Sequence, residues 1–135
     1  MRGLPLLAAV VAAWMATACR RDNPPPQAPS TESSSTPVRV TGSEKIAWDQ
    51  AASNPTQLAR YRYVVYIDDV PTELVGATCT NTASAGRTFP CTASLPKMQP
   101  GLHRLQLVVE ETEGDHRRSP KSGFLLLDVA PKTAP

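Results

Sequence analysis

Two histidines and a pair of adjacent aspartates are the residues of this chain that could do acid–base chemistry. His103 and His116 are the only histidines among the 135 residues, and Asp68 is followed directly by Asp69. Catalysis needs such groups beside a nucleophile, a second carboxylate or a metal in one pocket. Neighbouring strand residues point to opposite sides, so the aspartates predict a turn rather than a paired-carboxylate site. With no glycine-rich phosphate loop and no zinc-ligand spacing, we predict no enzyme, no metal site and no cofactor.

Three cysteines, Cys19, Cys79 and Cys91, are the other reactive side chains. A positive start at Arg2 and an apolar run from Leu4 to Ala18 precede Cys19. A run of about 15 residues is too short to cross a bilayer comfortably, but it is typical of the apolar region of a signal peptide. Residues 1–18 are therefore predicted to direct export.

The apolar run ends in Ala16-Thr17-Ala18-Cys19, and Arg20 follows. This segment resembles the lipobox of bacterial lipoproteins, in which small residues precede a cysteine that is lipidated and becomes the new N-terminus. The resemblance implies a palmitate-type anchor on Cys19, a location in the cell envelope and the membrane as a partner. It favours the outer membrane over the inner, because Arg20 is not the aspartate that commonly signals inner-membrane retention. A plain cleaved signal peptide and an uncleaved anchor are the alternatives.

If Cys19 carries lipid, Cys79 and Cys91 remain as an even pair. They flank a small-residue turn at 84–86 on what should be adjacent antiparallel strands. A disulfide between them would close a short loop and add about 3 kcal/mol of stability, and an exported protein meets the oxidising conditions that it needs. We predict this disulfide; free thiols and a metal site are the alternatives.

Residues 19–37 are rich in proline and serine and poor in apolar side chains. Such a composition cannot offset chain entropy by burial, so we predict a disordered tether that holds the next domain up to about 50 Å from the membrane. A proline-rich docking ligand for a partner is the alternative. The last residues, 132–135, are predicted to be a disordered tail.

The folded domain is predicted to occupy residues 38–131, because apolar side chains alternate there between turn signals. Its length of about 95 residues is usual for an immunoglobulin-like sandwich. The expected fold is all-β: a two-sheet antiparallel sandwich of about seven strands. The predicted strands are Val38–Thr41, Lys45–Trp48, Tyr61–Ile67, Thr72–Thr80, Phe89–Leu95, Leu102–Glu110 and Phe124–Val129.

Four segments of this domain resemble the fibronectin type III family. They are Trp48 at the close of an alternating strand, Tyr63 to Asp69 as a Y-x-V-Y-x-D-G strand and turn, Met98 to Leu107 as an L-x-P-G-x-H-x-F-x-V entry, and Ser119-Pro120. The resemblance implies a fibronectin type III-like sandwich. The chain departs from the pattern where Asp69 replaces the glycine, which predicts a different turn, and where His103 replaces a corner tyrosine. An immunoglobulin-like domain of another topology is the alternative.

Two surface features are candidates for binding. One is a loop that is acidic and then basic, which could dock a charged partner, bind calcium through its carboxylates or simply keep a hairpin soluble. Its residues are Glu110, Glu111, Glu113, Asp115, His116, Arg117 and Arg118. The other is Tyr66, whose ring could stack on a sugar. We therefore predict a non-catalytic interaction or spacer module for an envelope protein, with a small carbohydrate-binding module for an envelope polysaccharide as the alternative. A net charge of only +2 gives no reason to expect nucleic acid.

Overall fold

A computed structural model describes residues 25–31, 33–84 and 86–132 of the chain. Within these ranges the protein is built almost entirely of strands, with one helical turn, α1 (Pro55–Leu58). The strands are β1 (Val38–Val40), β2 (Lys45–Ala51), β3 (Tyr61–Ile67), β4 (Val70–Glu73), β5 (Thr78–Cys79), β6 (Thr88–Ser94), β7 (Gly101–Glu111) and β8 (Leu125–Val129). The predicted all-β class is confirmed.

The strands form two sheets that face each other across the core. The larger sheet has the order β1-β8-β7-β3-β4, and the smaller has the order β2-β6-β5. Neighbouring strands are antiparallel except for β1 and β8, which run parallel with Val38 opposite Leu127 and Val40 opposite Val129. The two-sheet sandwich is therefore confirmed, whereas the expectation that all its pairs are antiparallel is wrong for this one.

An aromatic contact joins the sheets at the centre of the core. The rings of Trp48 on β2 and Tyr63 on β3 meet edge to face, with their centroids 4.9 Å apart. The Tyr63 hydroxyl lies 3.8 Å from each sulfur of the Cys79–Cys91 disulfide. Burial raises the pKa of Tyr63 well above its usual value, so this phenol stays neutral. The predicted disulfide is confirmed, and it joins two directly opposed residues of β5 and β6.

The single strand predicted over Thr72–Thr80 is wrong, because the chain changes sheets there. β4 pairs with β3 in the larger sheet, and β5 pairs with β6 in the smaller one. Between them Leu74 turns into the core, and Gly76 adopts a φ of +76°. A bend that moves a chain across the sandwich needs a residue that tolerates positive φ. Within the described residues the sandwich consequently has eight strands rather than about seven.

Asn54 and Pro55 begin α1. The Asn54 side chain accepts a hydrogen bond from the Gln57 N–H (2.8 Å), and Pro55 occupies the first helical turn, both of which are typical of a helix N-terminus. The turn buries Leu58 against Ala52 and Phe89. It thereby closes one end of the core.

The N-terminal segment differs from the predicted tether from residue 25 onward. Ser30 and Asp49 exchange backbone hydrogen bonds (2.9 and 3.4 Å), and the Thr31 hydroxyl donates to the Gly123 carbonyl (2.7 Å). Pro26 and Pro29 are buried. Prolines suit such an edge because their rings bury apolar surface and no strand requires their missing N–H. The sandwich therefore begins before residue 38, while residues 1–24 and the tail beyond 132 lie outside the described residues.

Two serines complete the larger sheet where β8 does not reach. The C-terminal half of β7 lies beside an irregular segment around Pro120, a residue that has no N–H to donate. The hydroxyls of Ser119 and Ser122 accept hydrogen bonds from the N–H groups of Val109 (3.0 Å) and Leu107 (2.8 Å). Both serines are buried. Side chains thus replace the carbonyls that a regular strand would supply.

Replacing Ser122 by alanine should lower the free energy of unfolding by about 1–3 kcal/mol, because the Leu107 N–H is left buried without its acceptor. Chemical denaturation monitored by Trp48 fluorescence measures the change. Ser34→Ala is the matched control, since its hydroxyl is near the surface and donates only to Thr36. Equal stabilities of the two variants would contradict the role given to Ser122.

Removing the disulfide with the double substitution Cys79→Ala, Cys91→Ala should cost about 3 kcal/mol, because the unfolded chain regains the freedom of a closed loop. Thermal unfolding of the variant should match that of the reduced native protein. Thiol titration of the native protein under denaturing, non-reducing conditions should detect neither cysteine of the pair. Reactive thiols at 79 and 91 would contradict the pairing.

Candidate functional site

The acidic end of the candidate binding loop is tied into the sheet. Glu110 is the last buried side chain of β7, and its carboxylate accepts hydrogen bonds from Arg62 of β3 (2.5 Å) and from Arg118. Burial opposes the ionisation of Glu110, but the two guanidinium groups outweigh it and hold the pKa below its usual value. The backbone closes the hairpin as well, because 110 and 118 form a bridge.

The next pair in the loop is also closed on itself. Arg117 donates two hydrogen bonds of 3.0 Å to the carboxylate of Glu111, which raises the pKa of the guanidinium. Arg60 reaches Glu113 at 3.1 Å across the surface. Asp115 and His116 are exposed at the tip, where the His116 ring lies 3.3 Å from the Glu111 carbonyl. The loop therefore presents mainly Glu113, Asp115 and His116 to a partner, while the other charges hold the hairpin.

Tyr66 lies on the outer face of the larger sheet. It is half-buried between the turn at Asp68-Asp69 and the charged loop at 110–118. The Lys121 ammonium sits 4.4 Å from the centre of its ring, and Lys121 is itself 3.4 Å from Asp69. A sugar stacking on this ring face would have to displace the ammonium and its attraction to the aromatic ring. Tyr66 is thus accessible only in part.

A cluster that the sequence did not predict joins the turn between β3 and β4 to the start of β7. Asp68 and Asp69 form a two-residue hairpin turn with φ of +50° and +68°, so the expectation that Asp69 changes the turn is wrong: aspartate tolerates this conformation. The Asp68 carboxylate accepts hydrogen bonds from the Arg104 N–H (2.9 Å) and from His103 Nδ1 (2.7 Å). The other ring nitrogen, Nε2, lies 2.7 Å from the Gln99 carbonyl.

His103 therefore faces two acceptors, and only the doubly protonated imidazolium can donate to both. Asp68 first and the Gln99 carbonyl second raise the pKa of His103. The Arg104 N–H and then His103 lower the pKa of Asp68. This arrangement holds a turn in place, and neither ring nitrogen is left to take a proton from a substrate. The only signals in the sequence were an Asp at a turn and a His at a strand start.

Two further properties bear on function. Among the residues that the structure describes, no group of three or more His, Cys, Asp or Glu side chains could hold a metal ion. Over the same ranges, no helix has the length and apolar character to cross a membrane. Cys19, the predicted lipidation site, lies outside the described residues.

Comparison with known proteins adds no relative. No protein-family model matches the chain, and no curated protein has significant similarity to it.

The stability of the protein should fall as the pH rises above neutrality, because His103 loses one hydrogen bond when it deprotonates. The pKa of His103 is raised in the folded protein. The stabilisation that His103 provides is therefore complete below pH 6.5, the ordinary pKa, and is lost as the pH rises through the folded-state pKa. The lowered pKa of Asp68 has the opposite sign: its contribution is complete above 3.8 and is lost as the pH falls.

Urea denaturation from pH 5 to 9 checks this. The native protein should lose about 1 kcal/mol across the titration of His103, whereas His103→Gln, which stays neutral, should give a flat profile. His116→Gln is the matched control and should keep the native slope. A native slope in His103→Gln would contradict the assignment.

Proposed function

We propose that the protein is an exported lipoprotein of the cell envelope, anchored through Cys19, whose single β-sandwich is a non-catalytic interaction or spacer module. The observation that carries the non-catalytic part is that the reactive side chains serve structural bonds. Cys79 and Cys91 are joined, both ring nitrogens of His103 face acceptors, and Glu110 is held by two arginines. The lipid anchor is supported by the leader sequence and its cysteine.

The module is proposed to be fibronectin type III-like, within the wider immunoglobulin-like group. The segments that suggested the family lie at corresponding parts of the sandwich: Trp48 in the core on β2, Tyr63–Ile67 as β3, and Gly101 at the entry to β7. The strand order β3-β7-β8 against β2-β6 is the C-F-G and B-E order of that group. The parallel pairing of β1 with β8, together with the antiparallel pairing of β5 with β6 in the smaller sheet, favours an immunoglobulin-like variant of it.

The docked N-terminal segment sets the reach of the module. Only the six chain steps from Cys19 to Pro25 remain to link a lipidated cysteine to the sandwich, and these span at most about 20 Å. A module on such a short link would work at the membrane surface rather than at the 50 Å expected from the sequence. Short-range contact with a neighbouring envelope component is therefore the favoured form of the function.

Metabolic labelling with palmitate tests the anchor. The native protein should incorporate label and fractionate with membranes, because each buried CH₂ contributes about 0.8 kcal/mol to membrane binding. Cys19→Ser should lose both properties. The matched control, Cys79→Ser with Cys91→Ser, should keep the label, and labelling that persists without Cys19 would refute the anchor.

Crosslinking in intact cells followed by mass spectrometry tests the interaction. A specific envelope neighbour should be recovered, and recovery should drop when the exposed loop charges are removed by Glu113→Gln with Asp115→Asn. These substitutions spare the Glu110 and Glu111 ion pairs, so the fold should be retained. Lys97→Gln, a charge change at the other end of the sandwich, is the control. Failure to recover any neighbour would leave spacing as the function.

A further inference from the structure

One edge of the smaller sheet stops pairing halfway along β2. Ser30 exchanges backbone bonds with Asp49, so Asp49 directs its N–H and C=O away from β6. Its partner on β6 is Pro90, which has no N–H, and the Pro90 carbonyl instead accepts from the Thr80 N–H. Hydrogen-bonding direction alternates along an antiparallel strand. The N–H and C=O groups of Ala47 and Lys45 therefore point to the same outer edge as those of Asp49.

The N-terminal segment does not continue along this edge. Extending its antiparallel pairing from Ser30 would place Ser34 opposite Lys45. Instead, the Ser34 N–H donates to the Phe124 carbonyl (3.2 Å), and the Thr31 hydroxyl donates to Gly123, which draws the segment across to the larger sheet. Among the described residues, no strand pairs with the outward N–H and C=O groups of Lys45 and Ala47, which point toward a gap.

An apolar cavity of about 320 Å³ lies behind this gap. It opens between β1 and β2, where Val38, Lys45 and Ala47 are exposed, and it reaches inward to the fully buried Val65. Side chains of both sheets line it: Val40, Ile46, Leu95, Leu105, Leu107 and Leu127. The volume is within the range of small ligand sites.

We propose that this gap binds a short extended peptide segment of a partner protein, which adds as a strand along Ala47 and Lys45 and inserts an apolar side chain into the cavity. Strand addition joins main-chain hydrogen bonds with a pocket for alternate side chains. A lipid chain could fill the cavity, but it cannot bond to the free N–H and C=O groups of the edge, which is why a peptide is favoured. The proposal deepens the interaction half of the proposed function, on which it rests.

The register of the edge defines the chemistry of the segment. Ile46 faces inward and Lys45 and Ala47 face outward, so the residue opposite Ile46 should be apolar and its neighbours polar. Lys45 forms no ion pair within the described ranges, and the nearby Glu44 carboxylate is occupied by the N–H groups of Thr41 and Gly42. An acidic residue opposite Lys45 is therefore favoured.

Amide hydrogen exchange on the mature protein, purified as the cell makes it, tests the proposal with a synthetic probe. The probe is the blocked pentapeptide TVEVT, and its control is TTEVV, which has the same composition without alternation. At millimolar TVEVT the amides of Lys45 and Ala47 should exchange about tenfold more slowly, because they gain hydrogen bonds. The control peptide should leave their exchange unchanged.

Two variants separate the edge from the cavity. Ala47→Pro removes an N–H that the ladder with β6 does not use and should abolish protection of Lys45, whereas Ala47→Ser should retain it. Leu125→Trp, at a half-buried position of the lining, should fill the cavity and also prevent binding. Circular dichroism and unfolding curves identify any variant that loses its fold. If a variant does so, the comparison of TVEVT with TTEVV on the native protein is the deciding measurement.

Three results would overturn the proposal: no protection by TVEVT, protection of Lys45 and Ala47 in the free protein, or binding of dodecanoate in place of the peptide. The second would mean that the chain or a second copy already covers the edge. The peptide could fail to bind while the protein still incorporates palmitate and crosslinks to a neighbour. That combination would reject this binding mode and leave the proposed function unaffected.

Discussion

The contact between Tyr63 and the Trp48–disulfide pair holds the two sheets together. Tyr63 belongs to the larger sheet, while Trp48 and both half-cystines belong to the smaller one, so a single ring bridges the layers. Large aromatic side chains bury more apolar area than any others and are the main source of stabilisation in small cores. The contact fixes the distance between the two sheets, on which the rest of the sandwich depends. The cavity between β1 and β2 remains where side chains do not fill the space between the sheets.

Around that core, side chains supply what the strands lack. Ser119 and Ser122 accept hydrogen bonds in the irregular segment around Pro120 that precedes β8, and Glu110 binds the two arginines that close the loop at 110–118. Charges and hydroxyls that suggested a binding loop are thus largely engaged in maintaining backbone geometry. Besides the exposed tip of that loop, the proposed contact surface is the edge of β2, which carries no unusual residue.

The sequence predicted most reliably those features that depend on local alternation. Tyr61–Ile67 forms β3 within the predicted bounds, and the disulfide follows from Cys79 and Cys91 lying on adjacent strands. It failed where a distant element decides the outcome. The chain at Leu74 changes sheets because each half finds a different neighbour, and the proline-rich segment docks because Asp49 offers a free edge.

The site was less predictable for the same reason. The pairing of Asp68 with His103 joins residues 35 positions apart through a turn conformation that aspartate only tolerates. The gap at Lys45 and Ala47 is defined by where the N-terminal segment turns away, which no property of these two residues encodes. Exposed charges, by contrast, were easy to find and misleading, since most of them satisfy one another.

The parallel pairing of β1 with β8 has a mechanical consequence. A pull on the N-terminus, such as a membrane anchor would transmit, first breaks the backbone bonds between Ser30 and Asp49. It then loads β1 along its length, so that its three registered pairs with β8 and the bond from Ala130 to Val40 resist together in shear. Freed residues 25–37 would add about 40 Å of slack before that second barrier. Single-molecule pulling would record the two events as separate extension steps. The released segment would act as a short extensible linker, and the β1–β8 pair would be the stronger mechanical barrier.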